Sequence, residues 1–232
     1  MIKIENVDIY GWEAAIRGMR NPMNSWEKSD SYRYQGPEDP KKPNGWVYDG
    51  YEIGDADLDL MKRLVKGGAT HAKFRRMINV TMDITAPLYW WKEFDTYKVG
   101  TVANSCSTMH KIQANEFTLE DFSCEHLSRR MGLQCLKNTI ETLNEYRRFY
   151  NNWDKIDDNS KSAVGLREKK DAWWQMIQLL PSSFNQRRTV QLNYEVLAHM
   201  YHDRKDHKLD EWKELCKTIE ELPYAKELII GE

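Results

Sequence analysis

Long apolar runs are missing from this 232-residue sequence. No stretch approaches the 18 or more apolar residues that a membrane-spanning helix requires. The first residues, MIKIENVDIYGWE, contain neither an apolar core segment nor a small-residue cleavage site, so the expected compartment is the cytoplasm. Cysteine is sparse. Cys106, Cys124, Cys135 and Cys216 form no CxxC pair, and bridged frameworks belong to short secreted chains, so all four read as free thiols. Charge of one sign is also missing: 34 Lys+Arg stand against 36 Asp+Glu, which gives neither a basic field for nucleic acid nor an acidic tail. GxGxxG, GxxxxGK[ST], HExxH and GxSxG are all absent, which counts against dinucleotide Rossmann sites, P-loop NTPases, zincins and α/β hydrolases.

The residues that are present suffice for a core. The chain is 41% apolar, which excludes a wholly disordered polymer. Ile2, Ile4, Val7 and Ile9 predict a strand with one irregularity, and WEAAIRGM (12–19) a short helix stopped before Pro22. Residues 27–56 hold Pro37, Pro40, Pro43, several tyrosines and Trp46, and read as an irregular loop that packs over something. DLDLMKRLVKG (57–67) predicts a helix capped by Asp57 and ended by Gly67-Gly68. KFRRMINVTMDI (73–84) alternates apolar and polar residues as a strand does, with Arg76 the exception. LYWWKEFDTYK (88–98) predicts an aromatic helix, and 99–117 is mixed. Residues 126–222 read as mostly helical, with segments at 126–150, 167–180, 189–204 and 208–222. Strands first and long helices later suggest one α+β domain over 1–232.

Three polar constellations stand out. His71 with Lys73, Arg75 and Arg76 is either a solvated strand face or an anion site. Tyr97-Lys98 through His110 carries dense hydroxyl and amide groups, suited to a polar ligand or to a self-capped turn. Within it, Cys106 reads as a buried structural thiol more readily than as a nucleophile served by His110. Glu195, His199 and His202 share one helix at i, i+4 and i+7, the spacing of a metal site with no matched further ligand.

The order of the segments resembles the flavin-dependent thymidylate synthases. THAKFRR (70–76) stands where that family has its His turn, and Ala86-Pro87 follows the strand. LYWWKEFDTYK stands at the aromatic helix and the R-H-R triplet, and GTVANSCSTMH (100–110) covers the S-x-N-E-x-S-x-R-Y stretch. Leu180-Pro181, Asn193, Asp203-Arg204, His207 and Glu211-Trp212 follow in the family's order, and IRGMRNPMNS (16–25) is similar to its early A-R-x-S region. The triplet becomes Thr96-Tyr97-Lys98, the acidic residue after Asn104 is Ser105, and two phosphate-facing arginines become Met109 and Ile177. Each lost arginine removes a charge-assisted bond of about 1.5–3 kcal/mol. Lys98, Arg187 and Arg188 are candidate compensations.

The resemblance implies an antiparallel sheet packed with long helices. It implies a cytoplasmic homotetramer that binds FAD, is reduced by NADPH and takes a methylene group from methylenetetrahydrofolate to convert dUMP, or a related pyrimidine nucleotide, to its methylated product. Neither membrane nor nucleic acid is an implied partner, and no metal is implied. His71, Asn193, Lys98 and Ser25 would contact flavin. Asn104, Ser107 and Arg204 would face the reacting flavin and nucleotide, and Ser105 would sit with the nucleotide. The alternatives are a non-catalytic homologue that keeps flavin or nucleotide binding, and an unrelated metalloenzyme built on Glu195, His199 and His202.

Overall fold

The computed structural model describes residues 2–34 and 47–231. In chain order its elements are β1 (Lys3–Tyr10), α1 (Trp12–Arg20), β2 (Tyr32–Arg33), β3 (Val47–Tyr48), β4 (Tyr51–Glu52), α2 (Asp55–Lys66), β5 (Asn79–Pro87), α3 (Leu88–Phe94) and β6 (Val102–Ser105). They continue with α4 (Gly132–Asn151), α5 (Asp158–Ala163), α6 (Lys169–Leu179), β7 (Asn185–Asn193), α7 (Tyr194–Arg204) and α8 (Asp210–Glu220). This is an α+β architecture. Among the described residues the main sheet has the order β3-β1-β5-β7-β6, and β2 pairs with β4 in a small second sheet. β1 runs antiparallel to β5 and gains a two-residue parallel neighbour in β3.

Two compact units emerge: one comprises 86–92 and 105–187, the other 2–85, 93–104 and 188–231. In the second unit, β5 alternates as its sequence does. Val80, Met82 and Ile84 are buried on one face, and the residues between them are half-exposed. The irregularity expected in β1 is a register shift between Glu5 and Asp8, with Asn6 in the left-handed region. Gly11 precedes α1 at φ 100°, where a Cβ would lie 2.1 Å from the Met77 carbonyl oxygen, so only glycine fits. The Trp12 ring is buried edge-on against Tyr194 and Tyr224, at 5.3 and 5.5 Å.

The first unit is built on α4 and α6. Leu136, Ile140 and Leu143 of α4 pack with Met176 of α6 over Ile112, Phe117 and Phe122. Asp171 closes a capping box at the start of α6, accepting from the Glu168 amide.

Four expectations are corrected. Lys73–Arg76 is a 3-10 turn and the strand starts at Asn79: Phe74 and its neighbour Arg75 are both buried, where the alternation of a pleated strand would send them to opposite faces. Asp57 is not a helix cap. It lies inside α2, and Gly54 stands at the cap position. The aromatic helix ends at Phe94. Residues 189–193 finish β7 rather than beginning a helix, and the strand's Val190/Leu192 alternation runs straight into α7. Strands therefore do not all precede the long helices. Of the loop at 27–56, residues 35–46 lie outside the described residues. Among the described residues no helix is long and apolar enough to cross a membrane.

Candidate functional site

Helix α7 organises the site residues of the larger unit. Asn193 caps it: its side-chain oxygen accepts from the amides of Glu195 and Val196 at 3.1 and 3.0 Å. That bond spends the oxygen and leaves the amide hydrogens for another acceptor. Gly100 sits against this cap at φ 76°, where a Cβ would come within 2.9 Å of the Asn193 amide nitrogen and 3.0 Å of Val196. The segment carrying exposed Lys98 thus lies beside Asn193, and two residues far apart in sequence are brought together.

Arg204 closes the other end of α7. Its Nε donates to the Tyr97 hydroxyl at 2.9 Å, and its Nη1 donates to Glu93 Oε2 at 3.1 Å. The guanidinium lies 4.7 Å from the centre of the Trp212 ring, a cation–π contact. Glu93 Oε2 also accepts from Trp212 Nε1 at 2.8 Å and faces His207 Nε2 at 3.4 Å. The Leu209 amide donates to His207 Nδ1, so the ring proton sits on Nε2, toward Glu93. The Tyr97 hydroxyl in turn donates to Asp203 Oδ2 at 3.2 Å. Burial pushes the Tyr97 phenol above its ordinary range, Arg204 opposes that and Asp203 adds to it. Arg204 is therefore a guanidinium held in one orientation by an anion, a hydroxyl and a ring. Glu93 and Trp212 carry that orientation and were not singled out from sequence as its partners. The signal of Glu93 is weak, because it lies 111 residues from Arg204.

The remaining residues fall as follows. His71 is exposed in the turn after α2. Ser25 is half-buried. Its carbonyl accepts from Arg20 Nη1 at 3.2 Å, and Arg20 is itself clamped to buried Asp57. Asn104 and Ser105 lie on β6, whose four residues are all exposed. Arg188 is engaged by Asp95 at 2.7 Å. In the smaller unit, the Ser107 hydroxyl oxygen accepts from the amides of Met109 and His110, both at 3.1 Å, which makes a self-capped turn. Cys106 is exposed, not buried as the sequence suggested, and its backbone is pinned to Arg187 and to the Gln186 side chain.

The metal alternative loses its first ligand. Glu195 is bound by both Nε and Nη2 of Arg76, which holds its carboxyl below the usual range against the opposing effect of burial. His202 meets the Ile229 carbonyl, and His199 is exposed. Among the described residues no cluster of three or more His, Cys, Asp or Glu is placed to hold a metal ion.

This architecture is the fold of the flavin-dependent thymidylate synthases. The flavin-dependent thymidylate synthase ThyX from Helicobacter pylori, complexed with FAD and dUMP, superimposes with a TM-score of 0.59 at 15% identity, over 97% of this chain and 98% of that one. A second ThyX structure from Helicobacter pylori, with FAD and dUMP, gives a TM-score of 0.61 at 13% identity, over 100% and 99%. No family model matches the sequence, and no curated protein matches it.

Proposed function

We propose that this protein is a divergent flavin-dependent thymidylate synthase. It would bind FAD and a pyrimidine nucleotide, dUMP or a relative, and catalyse reductive methylation of the base. The observation that carries the reading is the whole-length likeness to ThyX structures that hold both FAD and dUMP. The chain's residues suit the flavin. Exposed His71 and Lys98 offer donors to a dinucleotide, and the amide hydrogens of Asn193, next to Gly100, are available to a carbonyl acceptor. Ser25, placed through Arg20, would meet a flavin phosphate. Bound flavin would supply hydride transfer, reduced by NADPH, with methylenetetrahydrofolate as the one-carbon donor.

The protein's share is binding and orientation. Arg204 would present its remaining N–H groups to the nucleotide, with their direction fixed by Glu93, Tyr97 and Trp212. Asn104, exposed on β6, would add neutral hydrogen bonds. Assembly as a cytoplasmic homotetramer belongs to the same reading. A second reading, a homologue that binds without turning over, is favoured by one contact: the Glu93 carboxylate already neutralises the Arg204 charge.

Thermal denaturation with dUMP, dCMP and UMP tests the proposal. One of these nucleotides is expected to raise the melting temperature by several degrees at concentrations well above Kd. No shift with any of them, in the presence of FAD, would contradict nucleotide binding. A shift without methylation of the base would select the second reading.

A further inference from the structure

We infer that the smaller unit carries a binding site for a free α-amino acid, in a groove between α4 and the loop at residues 113–117, with Arg147 holding the carboxylate and Glu116 the ammonium group. The site is independent of the thymidylate synthase reading. The groove holds roughly 410 Å³, within the range of small-molecule sites, and the side chains that line it are all polar or charged.

Two asparagines of α4 fix its walls. Asn144 accepts from the Phe117 amide through Oδ1 and donates to the Phe117 carbonyl through Nδ2, both at 2.9 Å. Asn151 Nδ2 donates to the Gln113 carbonyl at 2.9 Å. The loop is therefore pinned along the helix at both of its ends. Arg147 stands three residues after Asn144 and four before Asn151, so it projects from the same face, between the two pins. Glu116 precedes the pinned Phe117, which sets its backbone beside the turn of α4 that carries Asn144.

The charges in the groove divide into used and unused. Glu145 and Arg148 are closed on each other: Nη2 and Nε of Arg148 both donate to Glu145 Oε2, at 2.7 and 3.3 Å. Arg147 is half-buried, and its Nε is sealed from solvent without an acceptor. A guanidinium kept for structure would have its buried N–H bonded, because a bond left unmade there carries the full cost of desolvation. Glu116 is exposed, and among the described residues it has neither a hydrogen bond nor an ion pair. These two opposite charges line one groove, yet no ion pair joins them. A molecule that carries both signs satisfies both: its carboxylate matches the arginine fork, and its ammonium group the glutamate. A simple anion would be repelled by Glu116. The side-chain oxygens of Asn151 and Asn152 remain as acceptors, since each residue spends its nitrogen on a backbone carbonyl, Asn151 on Gln113 and Asn152 on Arg148. A ligand side chain that ends in an amide or an amine completes the match.

Thermal denaturation of the full-length protein with each of the proteinogenic amino acids, added singly, is the first test. Those with an amide or amine side chain are expected to raise the melting temperature, and leucine is not. Calorimetry with the best of them, with its N-acetyl derivative and with its carboxamide then assigns the two ends, in wild type, Arg147→Gln and Glu116→Gln. Each substitution is expected to weaken the free amino acid by about tenfold or more. Acetylating the amine should cost nothing further in Glu116→Gln, and amidating the carboxylate nothing further in Arg147→Gln. Arg147→Lys keeps the charge without the fork and takes the place of the glutamine variant if that one fails to fold; it too is expected to bind more weakly than wild type. No melting shift with any amino acid would overturn the inference. So would wild-type affinity in either variant. An N-acetyl derivative that binds wild type as tightly as its parent would also overturn it, because the groove would then take only an anion.

Discussion

Replacing Asp57 with alanine is expected to lower the melting temperature by roughly 6–20 °C, the largest loss of stability that any single polar substitution here should cause. The Asp57 carboxylate is fully buried. It accepts from Arg20 Nε at 2.6 Å, from the hydroxyls of Ser29 and Ser31 at 2.7 and 2.6 Å, and from the amides of Asp30 and Ser31. Removing it leaves the Arg20 guanidinium, 5% exposed, without its counter-charge. Breaking a buried pair in this way costs about 3–5 kcal/mol, and each kcal/mol shifts the midpoint of a domain this size by about 2–4 °C. The same change frees the segment that Asp57 ties to α2, and with it Ser25. FAD retention should therefore weaken in protein that remains folded.

The pH dependence of this site has a definite sign. Burial alone would raise the Asp57 pKa, but the hydrogen bonds from Ser31, Ser29 and Arg20, with the Arg20 charge, outweigh it and hold the carboxyl below its ordinary value. A depressed folded pKa contributes stability above the unfolded value, about 3.9, and that contribution is lost as pH falls through the folded pKa. Wild type should lose melting temperature more steeply than Asp57→Ala below about pH 4. Parallel curves for the two proteins would contradict the assignment.

Arg204→Lys is expected to cost about tenfold to a hundredfold in nucleotide affinity while leaving the fold in place. Lysine keeps the charge but cannot bond Tyr97 and Glu93 at once while lying flat over Trp212, and it loses the planar fork that would meet the nucleotide. Circular dichroism and calorimetry with dUMP read the two effects separately. Near-wild-type affinity in the lysine variant would mean that Arg204 acts only as a structural cation.

The sequence carried the sheet's central strand clearly, because Val80, Met82 and Ile84 alternate on a face that is buried on one side only. It carried the strand-to-helix change at Asn193 poorly. Helix α7 is buried nearly all round, so its apolar pattern continues that of Val190 and Leu192 without a break. The punctuation there is Asn193 itself, a capping residue whose meaning is plain only once the chain is folded. Asp57 shows the reverse failure. Its position before an apolar run suits a cap, and what overrides that reading is Arg20, 37 residues away. At the candidate site, Arg204 was legible as a motif residue. Its partner Glu93 was not, since a contact across 111 residues leaves no trace in local periodicity.

The absorption spectrum of the purified protein, before and after incubation with FAD, tests the central claim most directly. The account predicts flavin bands that co-purify or persist after removal of free FAD, in stoichiometric amount, with FAD as the chromophore released on denaturation. A colourless protein that takes up no added FAD would contradict it, leaving a thymidylate synthase fold without the chemistry that the fold serves in ThyX.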